Sequence, residues 1–346
     1  MQKTGNAVPV RRDTPDSIAL PAPLCFSLQS AQADDFGELQ AEAKVYDDGA
    51  VTIVVRGRTK LRFESLTRVC KGDVVHSMGR DFDLKGWAEE LFQAVRQFVA
   101  PAIIDPIRVD RCEREAYTAF CLLECPEGPE AFIKSHKATA AKLLVGDDGD
   151  LDLHDLQIEA ALRGPFSYLK SDYAIFDMER CLLIDPRADY EDILLIIEHA
   201  NYRLLELRVL DKLLDSRLDE AEKDLVDYGS PEPKKRRRLL GDAPQAKFAR
   251  IQELRFEALF VLENLENSAK IIGDFYLGQI YERLCAIFNT DGWSRSVEHR
   301  LDVLSSVYDM AKTDSAERKM LLLEIIFIVV CVVFPVIQIV QVLLLG

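Results

Sequence analysis

Histidines and cysteines occur throughout this 346-residue sequence, but their spacing matches no metal or catalytic site. The eight cysteines form no CxxC pair and no Cys/His ligand spacing, and the histidines form no HExxH pattern. The five histidines are His76, His136, His154, His199 and His299. We therefore expect reduced, mostly buried thiols, and we predict no metal ion and no cofactor.

One acidic segment, GDDGDLDLHD, offers carboxylates of the kind that hard cations such as Ca²⁺ prefer. Its aspartates are Asp147, Asp148, Asp150, Asp152 and Asp155. Their spacing misses that of an EF-hand loop, and the glutamate of its twelfth position is absent. The segment is typical of an acidic surface loop, and a divalent-cation site is the alternative.

Motifs of nucleotide-binding and hydrolytic enzymes are also missing. The sequence has no GxxxxGK[ST] segment, no GxGxxG after a predicted strand and no GxSxG segment. We therefore predict a protein without catalytic activity and without a small-molecule substrate. An enzyme whose site is assembled from scattered residues remains an alternative, because such a site leaves no local motif.

The densest group of charges is a run of five consecutive cations in a chain whose formal net charge is −15. The run consists of Lys234, Lys235, Arg236, Arg237 and Arg238. Such a cluster can bind anionic lipid head groups or RNA phosphates, and it also resembles a nuclear import signal. The simpler interpretation is a solvated linker that offsets nearby acidic residues. The acidic balance of the chain argues against a protein that coats nucleic acid with its whole surface.

Residues 325–345 form a charge-free apolar run, which as a helix of about 21 residues is long enough to cross a hydrocarbon core of about 30 Å. The N-terminus has no signal-peptide core, and Arg318 and Lys319 precede the run. We therefore predict a single-pass C-terminal tail anchor in a lipid bilayer, with the bulk of the chain in the cytoplasm. Gln338 and Gln341 share one face of this helix and either hydrogen-bond a partner helix or lie near the far leaflet.

The predicted fold is an α+β N-terminal domain followed by an all-α long-helix stalk or bundle and one C-terminal transmembrane helix. Asp48-Gly49 between alternating β-formers predicts a hairpin, and apolar spacing predicts helices over residues 84–99 and 129–145. The predicted segments are a disordered lead (1–22), the α+β domain (23–186), a long heptad helix (187–228), a basic linker (229–245), a helical stalk or bundle (246–320) and the membrane anchor (321–346).

The long helix carries apolar residues at alternating steps of four and three, which is typical of a coiled-coil seam. Asp211 occupies one of the seam positions, where a polar residue specifies the register of packing at a cost in stability. The seam closes either within the chain, as an antiparallel bundle, or between chains, as an oligomer. The short linker after the helix favours packing within the chain.

Three segments of the helical part carry a family resemblance. They are LLIIEHANYRLLELRVLDKLLD (194–215), FARIQELRFEALFVLENLENSAKIIGDFYLGQIYERLCAIF (248–288) and RSVEHRLDVLSSVYDMAKTDSAERKMLLLEIIFIVVCVVF (295–334). In this order of parts, over residues 193–340, the sequence resembles the family of the yeast proteins required for meiotic nuclear division and their mitochondrial homologue. Glu324 lies where that family has Leu-Glu before its anchor, whereas Leu277 replaces the Trp that follows its aromatic pair. The resemblance implies a membrane-tethered scaffold with no known catalytic residues and, from the mitochondrial member, an association with translation.

Together these features predict a membrane-tethered, cytoplasm-facing scaffold or adaptor that organises a partner complex. Its predicted partners are another protein or a second copy bound through the helices, and RNA or the ribosome is a weaker alternative. A second function is a subunit of an oligomeric cation channel that resembles the CorA-type magnesium channels in layout, with Gln338 and Gln341 as its polar lining. An enzyme with a scattered site is the third.

Overall fold

The computed structural model describes residues 23–67, 74–103, 112–147, 152–229, 255–256, 258–259, 262, 274–335 and 337. The chain forms two compact units. Unit 1 comprises residues 1–206 and 265–290, and unit 2 comprises residues 207–264 and 291–346. The predicted disordered lead, and the basic linker beyond Gly229, lie outside the described residues.

Unit 1 begins with a six-stranded antiparallel sheet. Its strands are β1 (Leu24–Ser27), β2 (Ala31–Ala33), β3 (Gly37–Val45), β4 (Val51–Arg56), β5 (Val75–Ser77) and β6 (Arg80–Phe82). β3 pairs with β1, β2 and β4, and the sheet continues from β2 through β5 to β6. The β3–β4 hairpin is the one that Asp48-Gly49 predicts: Gly49 has a φ of +90°, and Asp48 Oδ1 accepts the N–H of Ala50 at 3.0 Å.

Helix α1 (Leu84–Val99) packs on one face of this sheet, at the bounds that the apolar spacing predicts. Its first turn is capped by Asp83, whose Oδ1 accepts the N–H of Gly86 at 2.9 Å. Trp87 and Leu91 on the helix lie in one apolar core with Leu39 of β3. This core holds the sheet and the helix together.

A second, three-stranded sheet completes the α+β part. It contains β7 (Thr118–Leu122), β8 (Tyr173–Phe176) and β9 (Arg180–Ile184), with β9 in the middle, parallel to β7 and antiparallel to β8. Three short helices accompany it: α2 (Pro129–Ser135), α3 (Lys137–Val145) and α4 (Asp155–Ala161). The predicted helix over residues 129–145 is interrupted at His136, whose φ of −116° and ψ of 27° are not helical. Ser135 Oγ hydrogen-bonds the carbonyl of Ala131 at 3.1 Å, which competes with continuation of the helix.

Three longer helices follow: α5 (Glu191–Gly229), α6 (Phe275–Phe288) and α7 (Thr290–Ile328). Residues of α5 up to Glu206 and all of α6 belong to unit 1, whereas the rest of α5 and nearly all of α7 belong to unit 2. Asp274 caps α6 by accepting the N–H of Leu277 at 2.9 Å, and Asn289, with a φ of +54°, separates α6 from α7. A short π-helical stretch, Val329–Val333, continues α7.

In unit 2 the heptad seam of α5 closes on α7 within the same chain. Leu207, Leu214 and Leu304 are fully buried. Asp211, the polar residue of the seam, accepts a hydrogen bond from Ser296 Oγ at 2.9 Å and pairs with Arg300 Nε at 3.0 Å. A polar contact of this kind allows one register of the two helices and disfavours others, because a shift would leave the carboxylate without its partners.

The structure contradicts the predicted transmembrane helix, and with it the predicted tail anchor and single-pass membrane localisation. Within the described part of the chain, no helix combines the length and the apolar character that crossing a bilayer requires. In the described residues the apolar run begins inside α7, a helix that begins with polar residues at Thr290 and carries the charged Glu324 just before the run. The fold is therefore an α+β part followed by helices.

Candidate functional site

Two regions of the structure depart from the usual rule that charged groups are outside and apolar groups are inside. The first is a buried charged network in unit 1, where the β3–β4 hairpin meets the start of α5. Lys44 of β3 is 2% exposed, and its Nζ forms an ion pair with Oε2 of Glu198 on α5. Tyr46 donates its hydroxyl to the other carboxylate oxygen of Glu198 at 3.1 Å. The carboxylate is therefore held on both oxygens.

A second layer of the network surrounds Tyr202, one turn further along α5. Its ring stacks on that of Tyr46 at a centroid distance of 4.5 Å, and its hydroxyl donates to Asp48 Oδ2 at 2.7 Å. Burial is the main cause that raises the pKa of both tyrosines well above the usual value. A nearby carboxylate acts in the same direction, that of Glu198 on Tyr46 and that of Glu206 on Tyr202. Both phenols therefore stay protonated and act as hydrogen-bond donors.

Arg203 and Glu206 form a second buried ion pair on the same helix. Arg203 Nη1 donates to Glu206 Oε2 at 2.6 Å, and the guanidinium lies 5.4 Å from the ring centre of Tyr202. Burial raises the pKa of Glu206, while the Arg203 charge and its hydrogen bond act in the opposite direction. Arg203 Nε has no hydrogen-bond partner among the described residues. The pair is buried with part of its hydrogen-bonding capacity unused.

His199 lies in this network and is held as the neutral imidazole. Burial first, and then the positive charge of Arg203, lowers its pKa to about 3. Its ring is stacked with that of Tyr281 of α6 at 5.5 Å, and its Nε2 has no hydrogen-bond partner among the described residues. With a pKa this low, His199 does not exchange a proton near neutral pH, so it is unsuited to general acid–base catalysis.

These contacts attach α5 to the sheet of unit 1 and leave little for chemistry. Lys44 has its charge matched by Glu198, and the tyrosine hydroxyls are engaged by carboxylates. Breaking one partner of a buried pair leaves an uncompensated charge, so the network favours one position of the helix on the hairpin. Among the residues that the structure describes, no group of three or more His, Cys, Asp or Glu side chains could hold a metal ion.

The other residues that the sequence analysis selected do not converge on one site. His76 bridges Asp81 at 2.7 Å and Asp34 at 3.1 Å on the surface, and His154 accepts the N–H of Leu156 at 3.2 Å at the start of α4. Four groups lie outside the described residues: the cluster Lys234, Lys235, Arg236, Arg237 and Arg238, the pair Asp148 and Asp150 of the acidic segment, Gln338, and Gln341.

The second unusual region is the end of α7 and the turns that follow it in unit 2. Eleven large apolar side chains between positions 320 and 337 are 48% to 74% exposed. They are Met320, Leu321, Leu323, Ile325, Ile326, Phe327, Ile328, Val329, Val330, Phe334 and Ile337. Residues 325–330 are consecutive, and six residues cover more than one full turn of a helix, so the apolar surface extends around the whole helix. We refer to residues 320–337 as the apolar end of α7.

Comparison with known proteins places the α+β part of the chain in a family. The family described as "Uncharacterized protein MJ0711, N-terminal domain" matches residues 3–191, which is more than half of the chain. The chain belongs to this family. A relative, "Uncharacterized protein MJ0711" from Methanocaldococcus jannaschii, is 28% identical over 243 residues, covering 70% of this chain and 69% of the relative. No solved structure matches. The resemblance of the helical part to the yeast proteins required for meiotic nuclear division stays a prediction.

The sequence analysis predicted neither the buried charged network nor the exposure of the apolar end of α7. The Lys44–Glu198 pair joins positions 154 residues apart, and a charged residue within a strand pattern ordinarily indicates a solvated face. One signal was present: Lys44 lies between the apolar Ala43 and Val45 in a strand whose buried residues otherwise alternate. The exposed end of α7 was recognised as an apolar segment, but it was assigned to a bilayer.

Proposed function

We propose that this protein is a non-catalytic adaptor that organises a protein complex, and that it does so by associating through the apolar end of α7. The observation that carries the proposal is the exposure of eleven large apolar side chains on one stretch of helix. A helix that is apolar on all sides is stable in water only when something covers it. Glu324 is the single charged residue from position 320 to 337.

The size of the exposed surface supports a specific contact. With roughly 100 Å² exposed by each large side chain, the apolar end presents on the order of 1,000 Å². Monomeric proteins rarely expose apolar patches above about 300–600 Å², and each partner in a standard stable interface buries about 800 Å². The apolar end is therefore large enough to form the core of an interface by itself.

We take the occupant to be the same segment of a second copy. Within unit 2, α7 already packs by residues at alternating steps of four and three, since Val297, Leu301 and Leu304 are buried. The same steps continue along the sequence to Ile325, which is 58% exposed. An established helix–helix seam thus continues into a stretch with no cover among the described residues. Association of two copies by this seam forms a parallel or antiparallel helix pair of the coiled-coil type.

Light scattering coupled to size-exclusion chromatography tests this proposal with the full chain. The variant Leu321→Ser/Ile325→Ser/Val329→Ser removes three exposed side chains that are spaced by four residues, on the helix face that carries Ile325. We expect a discrete dimer for the parent chain and at least a hundredfold weaker association for the variant, because an interface core dominates affinity. The control variant Met78→Ser/Leu156→Ser/Met178→Ser removes three exposed apolar side chains of unit 1 and should leave the dimer intact.

Three outcomes contradict the proposal: a parent chain that is monomeric at micromolar concentration, a polydisperse aggregate without a defined stoichiometry, or an equal loss of association in both triple variants. Far-ultraviolet circular dichroism of each variant checks that helix content is unchanged. Since the substituted residues of α7 are exposed, their loss should not unfold the chain.

A further inference from the structure

A shallow groove of about 580 Å³ opens on the surface of unit 1, away from the buried charged network. Three loops line it: the turn before α2, the loop before β8 and the turn after β9. They contribute Lys170, Ser171 and Arg187 as polar groups, together with Leu169 and three prolines at positions 126, 129 and 186 as apolar walls. The groove lies wholly within residues 125–187, and therefore within the part of the chain that matches the family.

The two cationic loops are held in place by carboxylates. Asp172 accepts the N–H of Tyr168 at 2.8 Å and that of Leu169 at 3.0 Å, which fixes the loop that carries Lys170. Asp185 accepts the N–H of Arg187 at 2.9 Å, which fixes the turn after β9.

The turn before α2 is the third loop of the groove, and the charges of the lining are the last feature of the site. Gly128 donates its N–H to the carbonyl of Cys125 at 3.1 Å, so this turn is also closed by a backbone hydrogen bond. The Arg187 guanidinium approaches the Asp185 carboxylate only at 4.0 Å, and 58% of its side chain is exposed. The side chains that line the groove include two cations and no carboxylate, and the nearby Asp172 and Asp185 direct oxygens to backbone N–H groups.

Two residues beside the groove have a left-handed backbone or a positive φ. Ala188, next to Arg187, has a φ of +58°, and Gly128 has a φ of +82°. For alanine the left-handed conformation costs about 1 kcal/mol, and such strained positions cluster at binding sites. At Gly128 an added Cβ would meet no atom within 4 Å, so its surroundings are open and its conformation alone requires glycine.

We propose that this groove binds a small organic phosphate. Two cations and a hydroxyl on preformed loops suit a phosphate group, since charge-assisted hydrogen bonds to a dianion are strong. Leu169 and the proline rings offer a rigid apolar wall to the organic body of the ligand, and the volume is within the range of about 300–1,000 Å³ that is usual for small-molecule sites. This site is independent of the association through α7.

Isothermal titration calorimetry of the full chain with phenyl phosphate, inorganic phosphate and benzoate tests the proposal. Phenyl phosphate should bind more tightly than inorganic phosphate, because its ring contacts the apolar wall, and more tightly than benzoate, because benzoate has a single negative charge. The variant Lys170→Gln/Arg187→Gln should weaken binding of phenyl phosphate about a hundredfold, from about tenfold for each cation. The control Lys60→Gln/Arg62→Gln removes two exposed cations from the loop after β4 and should change the affinity less than twofold.

Alkylation of Cys125 gives a second measurement, which does not depend on the heat of binding that calorimetry detects. Cys125 lines the groove and is partly exposed, so bound phenyl phosphate should slow its reaction with iodoacetamide, measured for the peptide that contains it by mass spectrometry. Cys112, also partly exposed but not part of the groove lining, serves as the internal control. Equal loss of binding in the two double variants, or no protection of Cys125 at a saturating concentration of phenyl phosphate, would overturn the proposal.

Discussion

The buried charged network of unit 1 and the apolar end of α7 in unit 2 depart from the usual distribution of side chains in opposite ways. The network buries charged groups, whereas the apolar end exposes large apolar side chains. In the network, Lys44 is 2% exposed and its ammonium pairs with Glu198, whose carboxylate also accepts the hydroxyl of Tyr46, so the protein supplies partners that water would otherwise provide. At the apolar end, Phe327 is 67% exposed and has no such compensation among the described residues. In the network the charged groups pair within one chain, whereas the apolar end has no cover among the described residues, which is why we propose a second copy as its partner.

The two regions should therefore respond differently to substitution. In the network, a side chain matters because of the specific group opposite to it, so single changes are costly and paired changes are not. At the apolar end, a side chain matters only through the area that a partner covers, so single changes leave the isolated chain intact.

Lys44→Met should destabilise unit 1 by about 3–5 kcal/mol, because it leaves the Glu198 carboxylate buried without its cation. The double change Lys44→Met/Glu198→Leu should recover most of this loss, since an apolar pair of similar volume replaces both charges. Urea unfolding followed by tryptophan fluorescence measures the effect. In a Trp293→Phe background the signal comes from Trp87 alone, which is buried in the core of unit 1.

Arg56→Met is the matched control for the Lys44 prediction. Arg56 also joins β4 to α5, through two hydrogen bonds of 3.0 and 3.1 Å to Glu191, but 44% and 51% of the two side chains are exposed. An exposed pair contributes at most about 1 kcal/mol. If Lys44→Met proves no more costly than Arg56→Met, burial of the charge does not determine stability here.

Leu304→Ala should cost about 2–4 kcal/mol, whereas Leu323→Ala on the same helix should cost less than about 0.5 kcal/mol in the dissociated chain. Leu304 is fully buried in the seam, and Leu323 is 67% exposed at the apolar end. Thermal unfolding followed by circular dichroism at 222 nm, at a concentration where the chain is dissociated, measures both. Equal costs would show that residues near 323 are packed within the single chain, which removes the contrast.

The parts of the fold that sequence reasoning predicted are those with local signals. Asp48-Gly49 predicts its hairpin, and the bounds of α1 follow from its apolar spacing, because both depend on residues close in sequence. The break of the predicted helix at His136 was missed, because it depends on a side-chain hydrogen bond of Ser135 that competes with the helix. The α+β part was predicted as a class, but the order of its strands was not.

The groove of unit 1 and the apolar end of α7 differ in how far the sequence indicated them. Lys170 and Arg187 line the same groove because their loops lie at neighbouring strand ends, and nothing in their local sequences indicates this. The apolar end of α7 had a strong local signal, but hydropathy alone does not identify what covers an apolar helix. The wrong assignment to a bilayer arose at that step.

His199→Phe should change the pH dependence of stability more than stability at neutral pH. Burial lowers the pKa of His199 to about 3 in the folded chain, whereas the unfolded chain takes up the proton near pH 6.5. Stability that is fully present above pH 6.5 is therefore lost as the pH falls towards 3, by about 2 kcal/mol at pH 5. The variant should lose that much less between pH 7 and pH 5 in urea unfolding monitored by Trp87.

The control for this prediction is His299→Phe, which removes an exposed histidine from α7. The comparison separates the effect of the buried position 199 from that of losing a histidine. An unchanged pH profile in His199→Phe would mean that the imidazole is protonated in the folded network. In that case the network would be less tightly closed than its contacts indicate.

Arg300→Met should have the smallest effect, about 1 kcal/mol, because the pair is near the surface of unit 2. Arg300 pairs with Asp211 at 3.0 Å and also contacts Asp215, and its side chain is 27% exposed. Since salt screens such pairs, the cost should decrease between 0.05 M and 1 M NaCl, whereas the cost of Lys44→Met should persist because buried pairs are screened much less. Urea unfolding at the two salt concentrations measures both. If the two variants respond equally to salt, water reaches Lys44 as readily as Arg300, and the charges of the buried network are no better shielded than those of the α5–α7 seam.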